Sequence, residues 1–565
     1  MQTAAKWMLA AVTCAAMLAQ ADVAVGKKVI GIGWCHNPVK VDDLIEHADS
    51  YAATGLDGVT IWMRGKDAAG NAVGMRQIWN EGWEYGMFAD MVPKLKRLTA
   101  HEAFRECFLA TFRSPTKRVD WTDDVTWSRI AGNMRAAAAI ARDGGCRGLS
   151  MDCEDYRKVR QFFRQPGEMP YGELCALARR RGAQTFRGVF EEYPDVRILS
   201  FWFLSWLAPW HYGQDVRCLE HDRGDLWPAF VNGILDVLPP QARIIDGNEH
   251  AYRFDAAKND FAASAHRTRD TLAVLVEPEN RAKYDRQVQI SFGLYLDMYV
   301  NPTNSSWYFP PTEGSRLETF RRNIAQALDV ADEYVWLWSE KHQYAKWRDG
   351  FRVAGGTKPE TWDDVLQGIN DVIASEKDRD GFGRRRMSEL VASGQLVNLV
   401  VNGECAAADG ALPKPYGCWQ PGKPENHRGR FGSDPAFGDG GGTSLCAEGV
   451  PEGCFTLKVK DVKPGALYLV KCSACGEGTS VKVSWQDAKR KWTGRSEYLP
   501  FREKAGVWRR GSAVVRAPMT AKDMHLGLGV ALAQGEKAWF DSIAVVPLAK
   551  TAERAVKESC GDSGQ

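Results

Sequence analysis

The chain has 565 residues, and its 73 basic and 71 acidic side chains leave a net charge of only +2. That length excludes a single small domain and predicts two or three. The balanced charge excludes a dedicated nucleic-acid binder and a polybasic membrane surface. Against this ordinary background 21 Trp stand out; they serve either as core filler or as flat apolar faces on which sugars stack.

Residues 1–21 read as a secretory leader. Lys6 supplies the positive start, Trp7 to Leu18 are apolar or small, and Ala19-Gln20-Ala21 matches the cleavage pattern. The apolar run is too short to span a bilayer, so the expectation is a secreted or periplasmic protein without a membrane span. Of the 14 Cys, six (Cys405, Cys418, Cys446, Cys454, Cys472, Cys475) fall in the C-terminal third. In an oxidising compartment they form disulfides or remain buried thiols.

From 22 to 375 strand-like and helix-like runs alternate. The strands expected are Val29–Trp34, Gly58–Met63, Cys107–Phe112, Gly148–Cys153, Arg197–Phe203, Ala242–Asp246, Gln287–Leu296 and Glu333–Trp338. Between them lie amphipathic runs such as Asp42–Thr54, Asp124–Gly144, Tyr171–Tyr193, Asp260–Glu277 and Ser315–Ala331. Eight such repeats predict a parallel (β/α)8 barrel of the TIM type. No glycine-rich phosphate loop follows the first strand, which lowers the case for an open dinucleotide-binding sheet. Residues 376–395 are dense in charge and glycine and read as a linker or a short helix start. From 396 to 549 short β-rich runs separated by Gly and Pro predict an all-β sandwich. They are Leu396–Val401, Cys454–Val459, Ala466–Cys472, Ser480–Trp485, Ser512–Ala517, His525–Ala531 and Lys537–Val546. A polar tail occupies 550–565.

Barrel enzymes carry their chemistry where the strands end. Those ends offer Trp62 and Arg64, Arg113, Asp152 and Glu154, Trp202 and Trp206, Glu249, Tyr295 and Asp297, and finally Trp338 and Glu340. On a strand of period two, Ser150, Asp152 and Glu154 share one face. Glycosidic cleavage needs an acid for the leaving oxygen and a second group at the oxocarbenium-like centre. Glu154 suits the acid, its pKa raised by Asp152 if that group is ionised. Glu249 is the first choice for the second carboxylate, with Asp297 and Glu340 as alternatives; a substrate-assisted mechanism needs none. Arg64 and Arg113 either bind an acidic polysaccharide or pair with Asp152 or Asp155. Trp62, Trp202, Trp206, Tyr295 and Trp338 are the stacking candidates. No G-x-S-x-G elbow is present and the ten His are scattered, so a serine hydrolase or a metal-dependent barrel fits less well.

Two resemblances follow from particular residues. The strand-4 Asp152-Cys153-Glu154 is similar to the D-x-E end of the family 18 chitinase signature, and Trp338 resembles that family's Trp beneath the cleaved sugar. The resemblance implies Glu154 as acid and Asp152 as its partner. The signature's earlier acidic positions are Arg147 and Ser150 here. The C-terminal stretch resembles jelly-roll carbohydrate-binding modules, through Asn398-Leu399-Val400-Val401-Asn402-Gly403-Glu404 at its start and Ala538 to Val545 at its end. That likeness implies a sugar-binding module with a structural calcium at Asp541, with Glu404 as the second candidate ligand. The expected function is thus a secreted glycoside hydrolase with an appended sugar-binding module and no catalytic cofactor. A non-catalytic sugar-binding or cell-surface protein is the alternative from another class.

Overall fold

The computed structural model describes residues 26–33, 39–74, 78–79, 81–111, 115–154, 159–207, 224–346, 360–407, 410–501 and 508–548. The expected leader, Trp34, Arg113, Asp155 and the polar tail lie outside the described residues. The chain divides into two compact units, Met1–Asp378 and Arg379–Gln565.

The first unit is built on one parallel sheet of nine segments. They are β1 (Lys28–Gly33), β2 (Gly58–Trp62), β3 (Phe108–Ala110), β4 (Gly148–Met151), β5 (Arg197–Ser200), β6 (Arg243–Asp246), β7 (Val288–Ile290), β8 (Phe292–Tyr295) and β9 (Tyr334–Ser339). Their order is β8-β9-β1-β2-β3-β4-β5-β6-β7, parallel throughout. All eight expected strand positions are occupied. The count is nine because the seventh stretch breaks at Ser291, whose N–H turns to the Asp246 carbonyl at 2.9 Å. The first half of that stretch pairs with β6 and the second with β9. The sheet is thus a nearly closed barrel, its two end segments joined through Ser291.

Side-chain parity separates two cores. Val29, Ile61, Leu109, Leu149, Ile198, Ile244, Val335 and Leu337 pack in the large cluster with the helices. Their sequence neighbours Ile30, Phe108, Leu199, Ile245, Tyr334 and Trp336 form a second cluster inside the barrel, as alternation on a pleated strand demands. Surrounding helices include Asp124–Asp143, capped by the Asp123 side chain on the Thr126 N–H, and Arg316–Val330, capped by Ser315 on the Glu318 N–H. The expected Asp260–Glu277 helix is regular only to His266 and then passes through π and 3-10 turns. Helix Trp227–Val237 escapes sequence reading because it is apolar nearly all round and has no polar face to set a period.

The second unit contains two five-stranded antiparallel sheets forming a β-sandwich around its own core. Strands were expected near Gly453–Val459, Leu467–Cys475, Ser480–Gln486, Arg509–Arg516, Asp523–Val530 and Lys537–Pro547, and stand there. Four more, Gly417–Trp419, Arg430–Asp434, Ser444–Glu448 and Trp492–Tyr498, complete the sheets. The expected strand Leu396–Val401 is not one. Its Asn398 instead ties it to the last strand, with Oδ1 accepting from the Val545 N–H at 3.0 Å. The stretch read as a linker is largely helical, in Ile369–Lys377 and Arg379–Ala392. Its charges hide two anchors: Phe382 is buried, and Arg386 donates to the Leu548 carbonyl at 3.1 Å. The six cysteines of the C-terminal third are free thiols. No helix among the described residues is long and apolar enough to cross a membrane.

Candidate active site

The C-terminal strand ends surround an open cleft lined by residues that include Glu154, Trp202, Glu249, Tyr295, Trp338 and Glu340. Strand β4 brings the first acid. Ser150 and Asp152 point into the barrel interior while Leu149 and Met151 pack outward. Asp152 is buried, and its Oδ1 accepts the Glu154 backbone N–H at 3.0 Å. Asp152 thus folds back on the chain and fixes the turn that aims Glu154 into the cleft.

The second acid arrives from β6 through a tightly determined turn. Asp246 is fully buried and accepts the N–H groups of Phe203, Leu204 and Ser205 at 3.1, 3.0 and 2.8 Å, as well as the Ser205 hydroxyl. Burial raises its pKa, against the pull of these donors. This carboxylate is why β5 stops at Ser200 instead of running to Phe203: the chain bends around it, and the bend carries Trp202 and Trp206. A Cβ on Gly247 would lie 2.6 Å from the Ser200 carbonyl oxygen and 2.9 Å from Trp336 Nε1, so only glycine fits there. Asn248 follows in the left-handed region at φ 45° and donates to the Ser264 hydroxyl at 2.6 Å. Glu249 then opens a 3-10 turn, its N–H on the Phe201 carbonyl at 3.2 Å.

Burial first, and then the charges of Asp152 and Glu154, hold the Glu249 carboxyl well above the usual carboxylate range, against a smaller opposing pull from Tyr252. The next residue, His250, stacks on Trp202 at 5.6 Å and 15° and on Trp206 at 6.5 Å and 24°. Burial lowers its pKa, against a hydrogen bond to the Trp206 carbonyl, so its ring is neutral at neutral pH.

A third acid is held differently. Glu340 accepts the Tyr295 hydroxyl at 2.9 Å and Trp338 Nε1 at 3.1 Å, one on each carboxylate oxygen. Asp297 lies beneath it, with no exposed surface, its Oδ2 accepting the Glu340 N–H at 2.9 Å. Burial is the main reason its pKa is pushed up to about 6. Asp297 is absent from the described lining and supports Glu340 from below. Under the cleft Trp336 fills the barrel, stacked on Phe201 at 4.6 Å and donating to the Gly247 carbonyl at 2.8 Å.

The cleft also contains four residues that were not picked out as site residues: His250, Tyr252, Arg253 and Trp307. Arg253 lies over the Trp307 ring at 3.9 Å. Trp307 sits in a polar loop after β8, and its exposure at 37% is the signal a sequence does not carry. Of the expected stacking residues, Trp202, Tyr295 and Trp338 line the cleft, Trp206 backs Trp202 at 4.0 Å, and Trp62 packs against the outer core. Arg64 is exposed on a two-stranded hairpin, Arg64–Lys66 with Ala72–Gly74, away from the described lining.

In the second unit Asp541 is buried and accepts the N–H groups of Asp439 and Ser542 at 2.8 and 2.6 Å. Among the described residues no group of three or more His, Cys, Asp or Glu is placed to hold a metal. With both Asp541 oxygens already taken by backbone donors, these residues do not by themselves fit a calcium cage.

No family model matches the chain, and no curated protein matches it. Among solved structures it is similar to the enzymatically active domain of bacteriophage CBA120 tailspike protein 4, at 16% identity and TM-score 0.23, over 27% of this chain and 21% of that one. It is also similar to the CBM22-1–GH10 modules of Clostridium thermocellum endo-1,4-beta-D-xylanase 10B, at 14% identity and TM-score 0.19, over 27% of this chain and 28% of that one. A third is a family 16 carbohydrate-binding module, at 18% identity and TM-score 0.19, over 26% of this chain and 99% of that one. The chain thus spans between a fifth and three tenths of the first two. At these TM-scores the chemistry has to be read from this chain's own residues.

Proposed function

We propose that the barrel is an exported glycoside hydrolase and that the sandwich is its sugar-binding module. The observation that carries this reading is the Glu249 carboxyl, its pKa raised well above the usual carboxylate range by burial and then by Asp152 and Glu154, in one aromatic cleft with Glu154. A buried acid kept protonated near neutrality is what the leaving oxygen requires, and a second carboxylate is what the oxocarbenium-like centre requires. The roles first drawn from the sequence are therefore exchanged: Glu249 is the acid and Glu154 its partner, with Asp152 orienting the latter. When Glu154 loses its charge in a covalent or protonated intermediate, the repulsion on Glu249 falls and its proton is held less tightly, which suits a group that must alternate between acid and base.

Trp202, Tyr295, Trp307 and Trp338 provide faces for sugar rings. Among the described lining residues Glu154, Glu249 and Glu340 face a single base, Arg253, already seated on Trp307. In the sandwich, Trp492 and Tyr498 are 59% and 61% exposed on an edge strand, beside Lys482, Ser484 and Gln486 of its neighbour. Flat rings flanking polar side chains on one sheet face suit a sugar chain.

The test is hydrolysis of a panel of polysaccharides and aryl glycosides by wild type, Glu249→Gln and Glu154→Gln. Each substitution is expected to lower kcat/KM by about 10²–10⁴-fold. Wild-type activity in Glu249→Gln would remove the acid, and with it the reading.

A further inference from the structure

We propose that Glu340 is a specificity-determining residue: its carboxylate grips two neighbouring hydroxyls of one sugar ring, so the cleft selects sugars with a free vicinal diol there. This rests on the glycosidase reading of the same cleft and gives Glu340 a binding role apart from the bond-breaking pair. The acids of the cleft fall into two groups. Glu249 is acted on by Asp152 and Glu154, whereas Glu340 acts on Asp297 and Tyr295. Glu340 therefore belongs with the wall built from the ends of β8 and β9, not with the acids that follow β4 and β6.

The carboxylate is fixed before any ligand arrives. Its Oε2 accepts the Tyr295 hydroxyl at 2.9 Å, its Oε1 accepts Trp338 Nε1 at 3.1 Å, and Asp297 holds the Glu340 N–H at 2.9 Å. Both donors are themselves braced. The Tyr295 ring meets Tyr252 at 5.4 Å and 38° and the edge of Trp307 at 5.4 Å and 77°. Trp338 stands edge-on to Phe201 at 6.0 Å and 78°. Burial, and then Asp297 and Glu340, raise the Tyr295 pKa, so its hydroxyl stays a donor. A carboxylate has about four acceptor positions, roughly two on each oxygen. The wall fills one on each, which leaves one on each for a ligand in the cleft that Glu340 lines. Hydroxyls on adjacent ring carbons are close enough to reach both oxygens at once, as a bidentate donor. A diol with one oxygen capped reaches only one. Trp307 and Trp338 offer faces against which the carbon skeleton of such a sugar packs. Because the clamp already restricts the carboxylate, little further side-chain freedom is lost on binding.

The experiment uses the full chain and, as probes that resist cleavage, the phenyl 1-thioglycosides of glucose, galactose, mannose and xylose. Binding is followed by tryptophan fluorescence, and the tightest binder is compared with its monodeoxy forms. In wild type, removing either of two adjacent hydroxyls is expected to weaken binding about tenfold or more. In Glu340→Ala the same two removals are expected to change Kd by less than about twofold, while removals elsewhere on the ring act alike in both proteins. Tyr295→Phe keeps the carboxylate but releases one oxygen; it is expected to shrink the effect of the same two hydroxyls in part, and it guards against misfolding of the first variant. In hydrolysis of the matching nitrophenyl glycoside, the loss in Glu340→Ala is expected to fall on KM rather than on kcat. Wild type that binds none of the thioglycosides, the absence of an adjacent pair that depends on Glu340, or a fall in kcat at unchanged KM would overturn the assignment. Glu340-dependent binding in a protein that hydrolyses no nitrophenyl glycoside would instead keep the diol site and remove the glycosidase reading. Hydrolysis without any Glu340-dependent hydroxyl would do the reverse.

Discussion

The two ends of the barrel use the same residue types in opposite ways. At the N-terminal ends of the strands Lys28 lies between Glu106 at 2.7 Å and Glu333 at 2.8 Å. Tyr334 donates to Glu106 at 2.7 Å, and Gln289 donates to Glu333 at 3.0 Å. Burial works against the Lys28 ammonium, yet the two carboxylates more than offset it and raise its pKa above the ordinary value. At the C-terminal ends acids face acids: Asp152 and Glu154 act on Glu249, and Glu340 on Asp297. Opposite charges at the base hold the fold together; at the mouth burial first, and then like charges, raise carboxyl pKa values at a cost in stability. Carboxyls whose pKa is raised by burial and then by neighbouring acids are therefore a better mark of function here than acids as such.

The sharpest way to break this contrast is to remove an acid from each end and compare stabilities. Glu106→Ala leaves Lys28 with one carboxylate and strands the Tyr334 hydroxyl, so a loss of about 3–5 kcal/mol in urea unfolding is expected. Equal losses at base and mouth would mean that the ends are not different in kind.

Much of the barrel was legible because parallel strands buried on both faces are short apolar runs, and all eight were found at their positions. The break at Ser291 was not, because it lies where the stretch changes partners from β6 to β9, which depends on strands distant in sequence. The mouth was legible as a set of strand-end acids, and Glu154, Glu249 and Glu340 do meet in one cleft. Their ranking was not legible. Parity places Asp152 on the same face as Glu154 but does not say that its side chain bends back onto the next turn. Nor does sequence show that burial and the neighbouring acids raise the pKa of Glu249, since that depends on how the turn around Asp246 folds it into the cleft. In the sandwich, edge strands such as Trp492–Tyr498 were missed because their exposed polar residues carry no apolar alternation.

A second test concerns Asp297. It holds its proton more tightly in the folded chain, with a pKa of about 6 against 3.8 unperturbed. Between those values the folded state binds more protons than the unfolded state, so this group's contribution to stability falls as pH rises, by about 3 kcal/mol across the window. Asp297→Asn is expected to become more stable relative to wild type by about that amount between pH 4 and pH 7, read by urea unfolding at each pH. An unchanged difference would mean that the carboxyl is already ionised at the lower pH.

Smaller still is the stability effect of Glu249→Gln. A neutral amide keeps the volume and never has to be held uncharged against burial and the acids around it, so the variant is expected to be as stable as wild type or about 1 kcal/mol more stable at pH 7. Activity falls while stability does not, which separates this position from Glu106. A large destabilisation would place Glu249 with the acids of the base.

The smallest effect asks which end the second unit resembles. Asp541 has the features of the mouth: it is buried, and burial, followed by Glu404 and Asp439 against two backbone donors, raises its pKa. Its surroundings answer those charges as the base does. Backbone N–H groups fill both Asp541 oxygens, and Arg510 binds Asp439 at 3.0 and 3.1 Å. If the charge is already answered, a cation adds little, and about 5 mM calcium or a chelator is expected to move the melting temperature by less than about 1 °C. A rise of several degrees with calcium, lost in Asp541→Ala, would show instead that Arg510 gives way and that the sandwich, like the mouth, keeps an acid cluster for a ligand.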